Sequence, residues 1–121
     1  SIDLAVSGGF HSPFMNSAAD EFSGTLNKYD MEIPKIPVYA NLDAKPYAKN
    51  PKELLPHQIN NPVRWKEILK AMSESGIDTF IEAGPGKVLS GLVKKCVPGV
   101  EIYAADSAET VESVSEVVKN A

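Results

Sequence analysis

Two histidines occur in the 121 residues, and one of them stands where a base could work. His11 lies in the run Gly8-Gly9-Phe10-His11-Ser12-Pro13-Phe14-Met15. The glycine pair allows a tight approach. Ser12-Pro13 then opens a helix, with a side-chain acceptor at the N-cap followed by a residue whose fixed φ suits the first helical position. His11 is therefore expected at a strand-to-helix corner, where a rigidly held ring can face a cleft as a general base must. The same corner also suits a histidine that is only solvated or locally hydrogen-bonded.

A histidine base commonly serves a serine or cysteine, and the sharp elbow that exposes a serine has the pattern G-x-S-x-G. No serine here fits it. Ser90 sits in Leu89-Ser90-Gly91 inside a predicted helix, Ser7 lacks the first glycine, and Ser12 is used as an N-cap. Cys96, the single cysteine, falls on the apolar side of a helical repeat and reads as a small core residue. His57 follows Pro56 in a segment expected to be irregular, and two histidines without a third ligand make a poor metal site, so no metal is expected. Glu82, at a predicted strand end, is either a partner for His11 or a cap for the helix that follows.

The elements that would position these groups alternate. The end of a strand is predicted at Leu4-Ala5-Val6-Ser7, and a helix from Pro13 to Lys28 with Met15, Ala18, Ala19, Phe22 and Leu26 on one face. Ile36 to Asn41 is β-branched and aromatic enough for a strand, and Leu42 to Asn50 reads as a loop. Lys52 to Leu55 predicts a short helical turn limited by Pro56. A helix N-capped by Asn61 follows, with Trp65, Ile68, Leu69 and Met72 in its core and Gly76 as its stop. Thr79 to Ala83 is a predicted strand, turned by Gly84-Pro85-Gly86 into a helix carrying Val88, Leu89, Leu92, Val93 and Cys96. Glu101 to Ala105 is the last strand, and Ser107 caps a final helix with Val111, Val114, Val117 and Val118 as its stripe. Alternation with short connections predicts an α/β fold with a parallel sheet and helices on both faces, in which strand-to-helix loops form the functional edge. The Gly84-Pro85-Gly86 turn belongs to that edge but lacks the spacing of a phosphate-binding loop.

With 43% hydrophobic and 23% charged residues, the composition is that of a globular domain. Twelve basic against sixteen acidic residues give a net charge of −4, and no basic stretch exceeds Lys94-Lys95, so nucleic acid is not an expected partner. The apolar runs are too short to cross a bilayer, no membrane association is expected, and a cytoplasmic location is expected. The opening Ser1-Ile2-Asp3-Leu4, without methionine and already inside an apolar segment, gives the expectation of a piece cut from a longer protein.

Four ordered stretches resemble a known family: Val6 to Met15, Ile36 to Asp43, Gln58 to Trp65, and Ile81 to Leu89. Together they are similar, in register over essentially the whole chain, to the C-terminal part of the malonyl-CoA:acyl carrier protein transacylases, a family that includes the acyltransferase domains of polyketide and animal-type fatty acid synthases. The resemblance implies an α/β-hydrolase-like layered fold, with residues 1–121 as the histidine-bearing C-terminal portion of the large acyltransferase subdomain. It implies a two-step transfer: a serine in a G-H-S-x-G elbow takes malonyl from coenzyme A, and the phosphopantetheine thiol of acyl carrier protein then attacks the acyl-serine. His11 matches the catalytic histidine, and Gln58 the position whose backbone carbonyl orients it. Phe10 before His11 resembles the malonyl-selective form of the motif, and Asn41, Gly84 and Gly86 match positions supporting the cleft.

The implied substrates and partners are malonyl-CoA, acyl carrier protein and the N-terminal part of the same protein. Coenzyme A enters as the substrate thioester, and no covalently bound cofactor is implied. The family's serine, oxyanion donors and carboxylate-binding arginine precede the histidine motif, so the chain alone is expected to be inactive. Arg64 does not match that arginine and reads as a helix-surface residue. Fatty acid biosynthesis is the expected pathway. The alternatives are a polyketide synthase acyltransferase segment, a non-catalytic interaction module, and an independent small α/β binding domain.

Overall fold

Ser12 opens a helical segment as its residue type and the following proline dictate. Its backbone is extended, its hydroxyl accepts from Phe14 N at 3.4 Å, and Pro13–Met15 form one 3-10 turn leading into α1, Asn16–Leu26. Ala19 and Leu26 are buried, with Met15, Ala18 and Phe22 half-buried, so the apolar spacing does set the inner face. The computed structural model describes residues 7–121; of the strand end expected at Leu4 to Ser7, only Ser7 falls among them.

The expected strand over Ile36 to Asn41 is not a strand. A single antiparallel bridge joins Tyr39 to Pro46, flanked by Ala40 N to Lys45 O at 2.9 Å and Tyr47 N to Val38 O at 3.0 Å. Pro37 and Pro46 have no N–H, which limits any longer ladder here. Asn41 to Lys45 turn between the paired residues, and Ala44 takes a left-handed φ of 58°.

The segment after Asn50 also departs from expectation. Asn50 caps a 3-10 turn at Pro51–Glu53, and α2, Leu55–Ile59, follows with Pro56 in its first turn. A proline there loses only an N–H that has no intrahelical acceptor, so it starts this helix rather than limiting it, and His57 and Gln58 are helical rather than irregular. α1 packs against α2.

Asn61 does not cap the next helix. Its amide points back to His57 O at 2.8 Å and Asn60 Oδ1 at 2.9 Å, and α3 begins only at Trp65, running Trp65–Glu74. Ile68 and Leu69 are its buried residues, whereas Trp65 and Met72 are half-buried. α3 ends as Gly76 predicts: at φ 94° it lets Gly76 N reach Ser73 O at 3.0 Å and Ile77 N reach Met72 O at 3.1 Å, the paired bonds of a Schellman close.

The chain divides into two compact units, Ser1–Ile68 and Leu69–Ala121, the division falling inside α3. The second unit is a βαβα arrangement. β1 (Thr79–Ala83) and β2 (Glu101–Ala105) run parallel in register from Thr79 opposite Glu101 to Ala83 opposite Ala105. α4 (Val88–Cys96) connects them and packs on both, and α5 (Ala108–Lys119) packs on β2. This gives an α/β fold whose described sheet has two strands.

Ser107 caps α5 in a reciprocal box with Thr110. Only Val93, Val97 and Val114 are buried beside Leu69 in this unit. Cys96 and Val117 are half-buried, while Val88 and Val118 stand exposed, since a two-stranded sheet cannot cover every apolar position of two helices. No helix among the described residues is long and apolar enough to cross a membrane.

Two glycines give opposite expectations in urea denaturation. Gly24, inside α1 with open space around it, should gain about 0.5–1 kcal/mol as Gly24→Ala. Gly76→Ala should lose about 1–2 kcal/mol, because its φ of 94° lies where a Cβ is strained.

Candidate active site

His11 is held in an unusual backbone conformation. Its φ is 55°, left-handed, a region uncommon outside glycine although histidine enters it more readily than most residues. The bend around it is tied by Ser12, whose hydroxyl donates to Gly9 O at 2.5 Å and whose carbonyl accepts Met15 N at 3.0 Å. Gly9 allows that closure: a Cβ there would come 2.8 Å from the Phe14 ring and 3.2 Å from Ser12 Oγ. The corner thus sets the direction in which the imidazole leaves the chain.

The ring is fixed from 47 residues away: His11 Nδ1 lies 2.8 Å from the main-chain oxygen of Gln58. A carbonyl only accepts, so in the neutral ring this contact places the proton on Nδ1 and leaves the lone pair on Nε2. Among the described residues no group takes Nε2.

Helix geometry explains why that carbonyl is open. In a continuing helix Gln58 O would accept from residue 62, which is Pro62 and has no N–H; α2 instead ends at Ile59, leaving its last carbonyls to other donors. His11 is one donor and Asn41 the other, Asn41 Nδ2 reaching the same oxygen at 3.3 Å.

Asn41 and Gln58 clasp each other. Asn41 N donates to Gln58 Oε1 at 2.8 Å while its side chain donates to Gln58 O, and at the far end Gln58 Nε2 donates to Tyr47 Oη at 2.5 Å. Arg64 N donates to Asn41 O at 3.3 Å and its guanidinium reaches Leu42 O at 3.4 Å while pairing with Glu67, so this arginine braces the turn that carries Asn41. The structure therefore brings His11, Gln58 and Asn41 together at one oxygen.

Phe10, beside His11, is exposed, and His57 is exposed on α2. Tyr47 was missed in the sequence. It belongs to no motif there, and only the bridge of Tyr39 to Pro46 brings it level with Gln58.

In the second unit, Glu82 has its carboxylate occupied. Leu89 N at 3.1 Å donates to one oxygen, and Ser90 N at 2.7 Å and Ser90 Oγ at 2.6 Å to the other, so Glu82 closes the first turn of α4, the capping alternative of the two that its position allowed. Gly84 and Gly86 form the turn between β1 and α4 with φ of 135° and 89°, Gly84 N donating to Ala105 O at 3.2 Å. Both need glycine for the backbone path, since such φ values strain any Cβ.

Comparison with known proteins gives a class first: the proteins similar to this chain are acyltransferases of α/β fold. No protein-family model matches the chain. It is 39% identical over 120 residues to the malonyl CoA-acyl carrier protein transacylase of Bacillus subtilis, which covers 98% of this chain and 38% of that protein. It is also 41% identical, over 78% of this chain and 33% of the relative, to the polyketide biosynthesis malonyl CoA-acyl carrier protein transacylase PksC of the same organism. The crystal structure of the malonyl CoA-acyl carrier protein transacylase from Clostridium perfringens superposes with a TM-score of 0.89 at 35% identity, over 98% of this chain and 38% of that one. Over nearly its whole length the chain is similar to malonyl CoA-acyl carrier protein transacylases, and it spans 38% of the length of the first of these relatives.

The Glu82 cap carries a pH signature. The Ser90 hydroxyl first, then the Ser90 and Leu89 N–H groups, hold its carboxyl below the usual carboxylate range. A depressed carboxyl stabilises the folded unit above its unfolded value near 4.5, and that contribution is lost as pH falls through the lower folded value. Glu82→Gln should therefore lower the urea midpoint at pH 7 and flatten its fall below about pH 5. A variant whose acid slope equals that of the wild type would contradict the cap.

Proposed function

We propose that this chain carries the general base of a malonyl transfer from coenzyme A to the phosphopantetheine thiol of acyl carrier protein. The observation that carries the reading is the 2.8 Å contact of His11 Nδ1 with Gln58 O, which leaves Nε2 as the base. As in the family that the chain resembles, the nucleophilic serine comes from a segment outside these residues.

In the first step His11 Nε2 takes the serine proton as the serine oxygen bonds to the thioester carbon. The tetrahedral intermediate then expels the coenzyme A sulfur, which receives that proton from the imidazolium. In the second step the carrier thiol gives its proton to Nε2, its sulfur attacks the acyl-serine carbonyl, and the serine oxygen leaves with the proton back from His11. Gln58 O accepts from Nδ1–H throughout and stabilises the imidazolium, the part a carboxylate plays in a serine triad. Phe10 at the mouth of the motif supports malonyl as the acyl group.

Two facts support a segment that works against further chain. The relatives are longer, and exposed apolar side chains stand in each unit, Phe14 and Ile36 in the first and Val88 and Val118 in the second. The similarity to PksC gives a second reading for the pathway, polyketide rather than fatty acid synthesis, with the same chemistry.

The test is reconstitution with a separately made segment covering the remaining part of a relative, with malonyl transfer to acyl carrier protein as the readout. Neither part alone should transfer, the mixture should, and His11→Ala should lower the mixture's rate about 10³-fold. Transfer by this chain alone would overturn the reading.

A further inference from the structure

The structure assigns Tyr47 the task of a positioning residue for His11, acting through the side chain and then the backbone of Gln58; this rests on the reading of His11 as the base. Asn41 N–H can only donate, so the Gln58 amide atom facing it at 2.8 Å is Oε1. Nε2 must then face Tyr47, whose phenol oxygen is its acceptor. Both ends of one half-buried amide are thus held by a single turn, because Ala40 N to Lys45 O and Tyr47 N to Val38 O fix Asn41 and Tyr47 relative to each other.

The backbone at Gln58 needs such support. α2 has 5 residues, too few for a helix to hold itself, and Gln58 O has no intrahelical donor. With its side chain pinned at both ends, Gln58 can present that oxygen to Nδ1–H in one direction only. Burial pushes the Tyr47 phenol up from its ordinary value and Asp43 adds to this, against the Gln58 hydrogen bond, so Tyr47 stays neutral and serves the same way across the working range.

Removing the hydroxyl alone, in Tyr47→Phe, leaves Gln58 Nε2 without its acceptor and lets the amide turn toward water. The carbonyl then shifts and His11 loses the bond that selects its tautomer. The Tyr47 hydroxyl acts on the Gln58 amide, so the loss belongs in kcat and not in KM.

The experiment uses the reconstituted transferase with ¹⁵N-labelled histidine. Tyr47→Phe should lower kcat about three- to tenfold, the loss one neutral hydrogen bond accounts for, with KM for the malonyl thioester unchanged. The His11 ¹⁵N shifts of the same sample should move from a protonated Nδ1 toward a tautomer mixture. Gln58→Glu should keep the Nδ1–H form, since a carboxylate accepts from Asn41 N–H at one oxygen and from Tyr47 Oη–H at the other; Gln58→Leu should lose it. A Tyr47→Phe protein that is only less stable, with tautomer and kcat unchanged, overturns the assignment. If Tyr47→Phe fails to fold, loss of the Nδ1–H form in Gln58→Glu, or its retention in Gln58→Leu, overturns it instead. Unimpaired transfer by His11→Ala would remove the base reading while the ring shifts still decide the role of Tyr47.

Discussion

A helical carbonyl looks four residues ahead for its donor, and at Gln58 it finds Pro62, which has none. That vacancy is the constraint from which the site follows. It leaves one strong acceptor at the end of a one-turn helix, and the chain supplies two donors to it, the imidazole of His11 and the amide of Asn41. A ring bonded through Nδ1 to a group that cannot donate has its tautomer chosen, and with the tautomer the nitrogen that keeps the lone pair. A main-chain oxygen achieves this without an ionised side chain, so no protonation of that acceptor interferes as pH falls.

The strain at His11 belongs to the same account. A left-handed φ of 55° on a non-glycine residue costs about 1–2 kcal/mol and is kept only where surrounding bonds hold it. Here Ser12 closes the bend on Gly9 and the ring bond to Gln58 ties its far side. Ser12 has two duties, since the same hydroxyl accepts from Phe14 N at the helix opening. Helix start and imidazole direction are therefore set by neighbouring residues in one short run.

What could be read in the sequence tracks what is local. β1, β2, the stop at Gly76 and the cap at Ser107 depend on residues within a few positions of one another, and the structure has them where the pattern placed them. The helix opening at Ser12-Pro13 directly after His11 was legible for the same reason, while most of the strand expected before it lies outside the described residues. That the segment Ile36 to Asn41 forms a single bridge rather than a strand was not legible, because its β-branched residues favour extension while Pro37 and the facing Pro46 deny it a ladder, and only the pairing of Tyr39 with Pro46 decides between them. Pro56 shows the opposite error: a residue that breaks helices from within starts them from the first turn, and which applies depends on where the N-cap falls. The role of Tyr47 was hidden, since a lone tyrosine after a proline carries no signal until a fold sets it beside a glutamine.

The second unit states the same physics in simpler form. Glu82 could have served a distant histidine or the adjacent helix, and three donors within reach in α4 claim it. Where the His11 proton sits is read most directly by neutron diffraction from a deuterium-exchanged crystal at neutral pH. The account predicts deuterium on Nδ1, aligned with Gln58 O, and none on Nε2. Deuterium on Nε2 with a bare Nδ1 would contradict it.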